Sequence, residues 1–89
     1  MNTTASTFFS LMAEFGTAQI PLDAMCDKYF NLTHNAAKRK AARQSLPVPA
    51  LTIRNEGHAR YFIKAEHLAN LIDEKATLAK KEWDAINNH

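Results

Sequence analysis

Glycine and proline are scarce in this sequence, and their positions limit where helices and strands can begin and end. The 89 residues include two glycines and three prolines. Gly16 is well placed to end a first helix, and Pro21 suits the first turn of a second, where its missing N–H costs nothing. The other two prolines, within 46–49, end a third helix. Gly57 permits a tight turn, and the chain then continues without either residue to its end.

Apolar spacing supports the first two helices. Residues of the first segment repeat at helical intervals, although its aromatic content leaves a strand open. The second segment carries one apolar stripe, and Asp23 lies near its positive N-terminal end. The residues of the two stripes are Phe8, Leu11, Met12 and Phe15, then Leu22, Met25, Cys26, Tyr29 and Phe30. The single cysteine cannot form an internal disulfide, and we expect it to be a buried thiol in a reducing compartment.

A third helix and a hairpin follow. Thr33 is a natural N-cap for a helix that reaches about Ser45. Two runs with alternating apolar residues, Ala50–Arg54 and Ala59–Ile63, predict strands joined by a tight connection over 55–58. We therefore expect a helix-turn-helix over about 21–45 and a wing over about 50–63.

The last segment predicts one long helix, from about Ala65 to Asn87. Its small and apolar residues alternate at intervals of four and three, as in a heptad seam. They are Ala65, Ala69, Ile72, Ala76, Ala79, Trp83 and Ile86. In one interpretation Leu68, Leu71 and Ile72 pack on the domain and the rest is an exposed tail. In the favoured one, Ala76, Ala79, Trp83 and Ile86 form a dimer seam, because an exposed Trp and Ile are costly. Alternatively, the aromatic residues Phe8, Phe9 and Phe15 cover the tail.

These segments predict a mainly α fold with a small β-hairpin: a winged helix-turn-helix with a long C-terminal helix, in a single domain over 1–89. The composition, 46% hydrophobic and 22% charged, is that of a soluble globular protein. No apolar run approaches the ~18 residues that span a bilayer, and the N-terminus lacks signal-peptide features. We expect a cytoplasmic protein without membrane contact.

Positive charge is concentrated in one block. Residues 38–64 contain seven of the eleven Lys and Arg residues and one of the nine acids, Glu56. The rest of the chain is therefore acidic. Such a block is typical of a surface that meets a polyanion. The alternatives are a solvated basic helix face and a charged hairpin edge that discourages aggregation.

We expect double-stranded DNA as the partner. In a winged helix the second helix of the pair enters the major groove, where Arg and Asn read bases and Lys contacts phosphate. Asn35, Arg39 and Arg43 are the expected base-reading residues. The expected backbone contacts are Lys38, Lys40 and Lys64, with Arg54, His58 and Arg60 from the wing.

No pattern of residues predicts catalysis. The four histidines, His34, His58, His67 and His89, lack metal-ligand spacing, and the serines lack a nucleophile motif. We expect no enzyme activity, no bound metal and no cofactor.

The N-terminal segments 9–16 and 20–30 resemble the pyocin activator PrtN family, which has a Leu-Met-Ala-x-aromatic-Gly run and an Ile-Pro-Leu-x-x-x-Cys-x-x-Tyr-Phe run. Leu32-Thr33, segment 46–49 and segment 67–73 are similar to later landmarks of that family. The resemblance implies a transcription activator of phage or bacteriocin genes. The arrangement is also similar to AlpA-type and excisionase regulators. The third helix is more basic and alanine-rich than expected for the family, so the operator and the sign of regulation stay open.

The leading hypothesis is thus a dimeric, sequence-specific DNA-binding regulator. One alternative is an excisionase-like architectural protein that bends DNA. The other is a small interaction protein whose basic block and C-terminal helix bind RNA polymerase or another host regulator.

Overall fold

The computed structural model describes the backbone of residues 3–87 and the side chains of residues 5–87. In chain order, the elements are α1 (Thr3–Phe15), β1 (Gln19–Pro21), α2 (Leu22–Phe30), α3 (His34–Ala42), β2 (Leu51–Asn55), β3 (His58–Lys64) and α4 (Ala65–Asn87). The described part of the chain is mostly helical, with a small antiparallel sheet and a long final helix. None of its helices combines the length and apolar character needed to cross a bilayer.

The first segment is a helix, not the strand that its aromatic content left open. Gly16 ends it in the left-handed region, with φ 73°, and donates its N–H to the Met12 carbonyl at 2.7 Å. A side chain is strained at this φ, so glycine suits the position. α1 packs against α4 in the opposite direction: Thr7 donates a hydrogen bond to Asp73 at 2.6 Å, and the Ala65 N–H binds the Ala18 carbonyl.

A short strand that the sequence pattern does not predict lies between the first two helices. β1 pairs with β3, and the sheet order is β1-β3-β2. Pro21 was expected in the first turn of α2, but it is the last residue of β1 and the N-cap of the helix. Proline tolerates this place because β1 is an edge strand. Three residues are too few to show alternation, so the pattern carried no signal.

The second and third helices are joined by a three-residue turn. Asn31 takes the left-handed conformation, with φ 54°, and the Thr33 hydroxyl caps α3 by accepting the Ala36 N–H at 3.2 Å. The predicted N-cap is confirmed. The predicted end at about Ser45 is wrong, because Gln44 adopts φ 53° and the helix stops at Ala42. The backbone N–H groups of Gln44 and Ser45 donate hydrogen bonds to carbonyls of the last helical turn, which gives a Schellman-type C-terminus.

The hairpin turn is shorter than expected. Asn55 and His58 pair within the strands, which leaves Glu56 and Gly57 as the two turn residues. Both have positive φ, 51° and 81°, as a type I′ turn requires. The strands therefore cover 51–55 and 58–64 instead of 50–54 and 59–63.

The core draws on all four helices, two strands and the connection between α3 and β2. Its fully buried large side chains are Ile20, Leu22, Met25, Ile63 and Leu68. Cys26 is buried as predicted, with 2% of its surface exposed. The bounds of α4 match the prediction, but only its first turns reach the core: Ala65, Leu68 and Ala69 are buried, and Leu71 and Ile72 pack at the edge.

Candidate nucleic-acid interface

α3 is attached to the core through two small side chains. Ala37 and Ala41 are fully buried, and they let the helix backbone lie close to its neighbours. The opposite face of the helix carries Asn35 and Arg39, with Arg43 at its end, and all three side chains are exposed. The surface predicted to read bases therefore faces solvent.

The two lysines of α3 lie on different flanks. Lys38 and His34 border a cavity of about 90 Å³ whose other wall includes Ala59 and Arg60 of β3. This cavity places the first half of α3 directly beside the hairpin. Lys40 is half-buried on the other flank, where it borders an apolar groove next to α4. Lys38, and not Lys40, is the lysine that continues the basic surface toward the hairpin.

The hairpin arginines lie on opposite faces of the sheet. Arg54 pairs with Ala59, and Arg60 pairs with Ile53. Paired residues of antiparallel strands share a face, and neighbours along a strand alternate between faces. The Arg60 guanidinium lies 5.2 Å from the centre of the Phe62 ring, on the face away from the core. The two arginines expected to contact the DNA backbone from the wing therefore do not share one face of the hairpin.

The remaining two predicted contacts follow the same alternation. His58 is exposed beside the turn, on the Arg60 face of β3. Lys64 lies at the far end of that strand, and its ammonium is 3.4 Å from a Glu66 carboxylate oxygen. Of the nine predicted residues, Lys64 is the farthest along the sheet from the turn. The structure thus gathers His34, Lys38 and the hairpin into one surface but leaves Lys64 at its base.

Most of the basic block lacks neutralising partners. Within residues 5–87, Lys64 is the one member that forms an ion pair; the other six cations have none. Asp23 is the acidic residue that borders the cavity between α3 and β3. Cations without carboxylate partners remain available to phosphates.

The outer face of the hairpin carries exposed apolar side chains that the sequence pattern does not predict. Leu51 and Ile53 are 40% and 50% exposed, and they lie with Phe62 and Arg60 on the outer face of the sheet. The apolar alternation indicated strands but not which face would be covered. The strand register could have shown which face is exposed. It pairs Ile53 with Arg60, and because an arginine is seldom buried, the face that both residues share is the outer one.

The comparisons with known proteins give one match. A family model described as pyocin activator protein PrtN matches residues 7–79, from α1 into α4. This range includes every residue of the candidate interface. Neither the curated proteins nor the solved structures compared with the chain gave a match. The matched range covers most of the sequence, and the chain therefore belongs to the pyocin activator protein PrtN family.

Proposed function

We propose that this regulator of phage or pyocin genes binds double-stranded DNA through a winged helix-turn-helix. Family membership supports the regulatory role. The order of elements supports the architecture, because a short strand, two helices joined by a tight turn and a hairpin follow one another. In this proposal α3 is the recognition helix and β2–β3 is the wing.

The observation that carries the proposal is the outward face of α3. An α-helix fits the major groove, which is ~12 Å wide. Arg39 and Asn35 lie at the centre of that face, opposite Ala37 and Ala41, and are the proposed base-reading residues. Arg43 reads bases or phosphate at the end of the helix.

The flanks of this face provide the backbone contacts. Lys38 and Arg60 border the same cavity between α3 and β3, and Arg54 shares a sheet face with Ala59, which also borders that cavity. These three residues are the proposed phosphate contacts next to the recognition helix. Lys40 contacts a phosphate on the other flank of α3. His58, beside the turn, and Lys64, already paired with Glu66, rank below these residues.

Selection of bound sites from random DNA, followed by affinity measurements at several salt concentrations, tests the proposal. Arg39→Ala should cost ~1–3 kcal/mol and relax the base preference at one position. Lys38→Ala should weaken all sequences alike and reduce the salt slope by about one. Lys81→Ala, an exposed lysine of α4, is the matched control and should change neither property. Unchanged site preference in Arg39→Ala contradicts the base-reading role.

A second candidate function, contact with RNA polymerase or another host regulator, is favoured by the apolar outer face of the hairpin. Exposed apolar patches mark protein interaction sites. Ile53→Thr keeps a β-branched side chain in the strand but removes apolar surface. If this face contacts a protein, the variant retains its DNA affinity and loses activation of a reporter gene. If it has no such role, activation stays at the wild-type level.

A further inference from the structure

The second half of α4 carries apolar side chains that nothing in the described chain covers. Trp83 and Ile86 are 60% and 70% exposed. The N-terminal aromatic residues do not cover them: Phe9 is itself exposed, and Phe15 packs beside the Tyr29 ring at 6.1 Å between centroids. That alternative from the sequence is wrong. An exposed Trp and Ile on one face of a helix indicate a surface that binds a partner.

The first half of α4 borders an apolar groove. The groove lies between α2, the α3–β2 connection and α4, and its volume is about 540 Å³. Its apolar lining includes Phe30, Leu32, Leu68, Leu71 and Ile72. Drug-sized ligands occupy sites of ~300–1,000 Å³, so the groove has room for an indole ring and a branched aliphatic side chain. Lys75 stands at its α4 edge.

The groove and the exposed tail lie on the same face of one helix. Projected at ~100° per residue, Ala79, Trp83 and Ile86 continue the stripe of Leu68 and Ile72 that lines the groove. The tail of a chain cannot reach its own groove, because α4 is a continuous helix from Ala65 to Asn87. A second copy of the chain can supply that tail.

We propose that two copies pair through their α4 helices in antiparallel orientation, so that each tail fills the groove of the other copy. The two-fold axis passes between Thr77 and Leu78. Ala76 then lies opposite Ala79 of the second copy, and these small side chains allow close helix approach. Trp83 of the second copy lies over Ile72, and its Ile86 lies beside Leu68.

Charge complementarity supports this register. Neither Lys75 nor Glu82 has a partner of opposite charge on its own helix, because the residues three and four positions away are all apolar. Around the lysine they are Leu71, Ile72, Leu78 and Ala79, and around the glutamate they are Leu78, Ala79, Ala85 and Ile86. Neither forms an ion pair within the described chain. In the antiparallel pair each Lys75 lies beside Glu82 of the other copy, on the same flank of the seam.

Parallel pairing fits the observations less well. It would stack Trp83 on its own counterpart and leave both grooves empty. The antiparallel arrangement fills both grooves with one isologous contact and closes the assembly as a two-fold dimer. This inference does not depend on DNA binding, so it can fail or hold independently of the proposed function.

Sedimentation equilibrium of the full chain over a concentration series tests the pairing. We expect a dimer, with Trp83→Ala raising the dissociation constant at least ~30-fold. Lys75→Glu and Glu82→Lys should each weaken the dimer, and the double variant should restore it. Residues 75 and 82 are about 10 Å apart along one helix, so restoration requires contact between copies. Lys81→Glu, on the opposite face of α4, should leave the dimer intact.

Tryptophan fluorescence provides a second readout that needs no variant. Trp83 is the single tryptophan of the chain, so its emission should shift to the blue as the concentration rises through the dissociation constant. A monomer at every concentration would overturn the proposal. So would a dimer whose Trp83 emission stays that of a solvated indole, or a double variant no stronger than the single ones.

Discussion

Glu14 links the first two helices through two partners. Its carboxylate accepts a hydrogen bond from Lys28 at one oxygen and from the Tyr29 hydroxyl, at 2.8 Å, at the other. The Lys28 ammonium and the Tyr29 hydroxyl lower the pKa of Glu14 below its usual 4.5, and the Glu14 carboxylate raises the pKa of Lys28. These contacts join the C-terminal turn of α1 to that of α2 at the protein surface.

The lowered pKa makes a prediction about pH. The folded state favours ionised Glu14, so its contribution to stability is present above the usual glutamate pKa and is lost as the pH falls through the lower folded-state pKa. Glu14→Gln should therefore reduce the free energy of unfolding at neutral pH, and the difference from wild type should vanish in acid. Urea denaturation at several pH values measures this. Glu74→Gln, an exposed glutamate without an ion pair in the described chain, should show no such convergence.

At the scale of elements, α3 is held in place by small buried side chains that let its backbone lie close to the core. Ala41 is 1% exposed and faces the core, whereas its neighbour Ala42 is exposed on the outward face. Ala41→Leu should cost ~1–3 kcal/mol by overpacking. Ala42→Leu should change the free energy of unfolding by no more than ~0.5 kcal/mol, yet weaken the proposed DNA binding by placing a branched side chain on the outward face of α3.

Thermal unfolding and DNA titration of the two variants check this pair of outcomes. Equal destabilisation by both leucines would mean that α3 is not anchored where the structure places it. Normal DNA affinity in Ala42→Leu would move the interface away from the outward face of α3, whatever happens to stability.

The sequence predicted the elements whose signals are local. The cap at Thr33, the stop at Gly16 and the full extent of α4 depend on residues within a few positions of each feature, and the structure has all three. β1 was missed because three residues are held by pairing with β3, more than forty positions away. The end of α3 was misplaced because Gln44 takes a left-handed conformation while its side chain binds both backbone groups of Ala50.

The residues of the candidate site were predicted from the sequence, but the sheet faces on which the two hairpin arginines lie were not. Charge counting located the basic block, and helical projection placed Arg39 and Asn35 on the outward face of α3. The opposite orientation of Arg54 and Arg60 was implied by the predicted strands as well, because 50–54 and 59–63 pair Arg54 with Ala59 just as the structure does. It was missed because the two arginines were grouped by charge, without the alternation of faces along each strand.

At the scale of the whole molecule, the elongated shape separates two surfaces. The molecule extends 59 Å along its longest axis, and α4 projects beyond the core that holds α3 and the hairpin. An antiparallel pair of α4 helices would place two copies of the basic surface on opposite sides of a common two-fold axis. A dimer of this kind would favour DNA with two symmetric half-sites.

A chain that ends at Ala79 tests whether the basic surface binds DNA while the end of α4 pairs two copies. It keeps the family-matched range and all the core residues, but it removes Trp83, Ile86 and Glu82. We expect a folded monomer whose affinity for a single half-site equals that of wild type. Its affinity for a two-half-site duplex should fall ~100-fold or more, because the second binding event is no longer intramolecular. Titration of both duplexes with both proteins at one salt concentration measures this. If the shortened chain binds the two-half-site duplex as tightly as wild type, the half-sites are coupled through another surface, and the outer hairpin face with Ile53 becomes the next candidate.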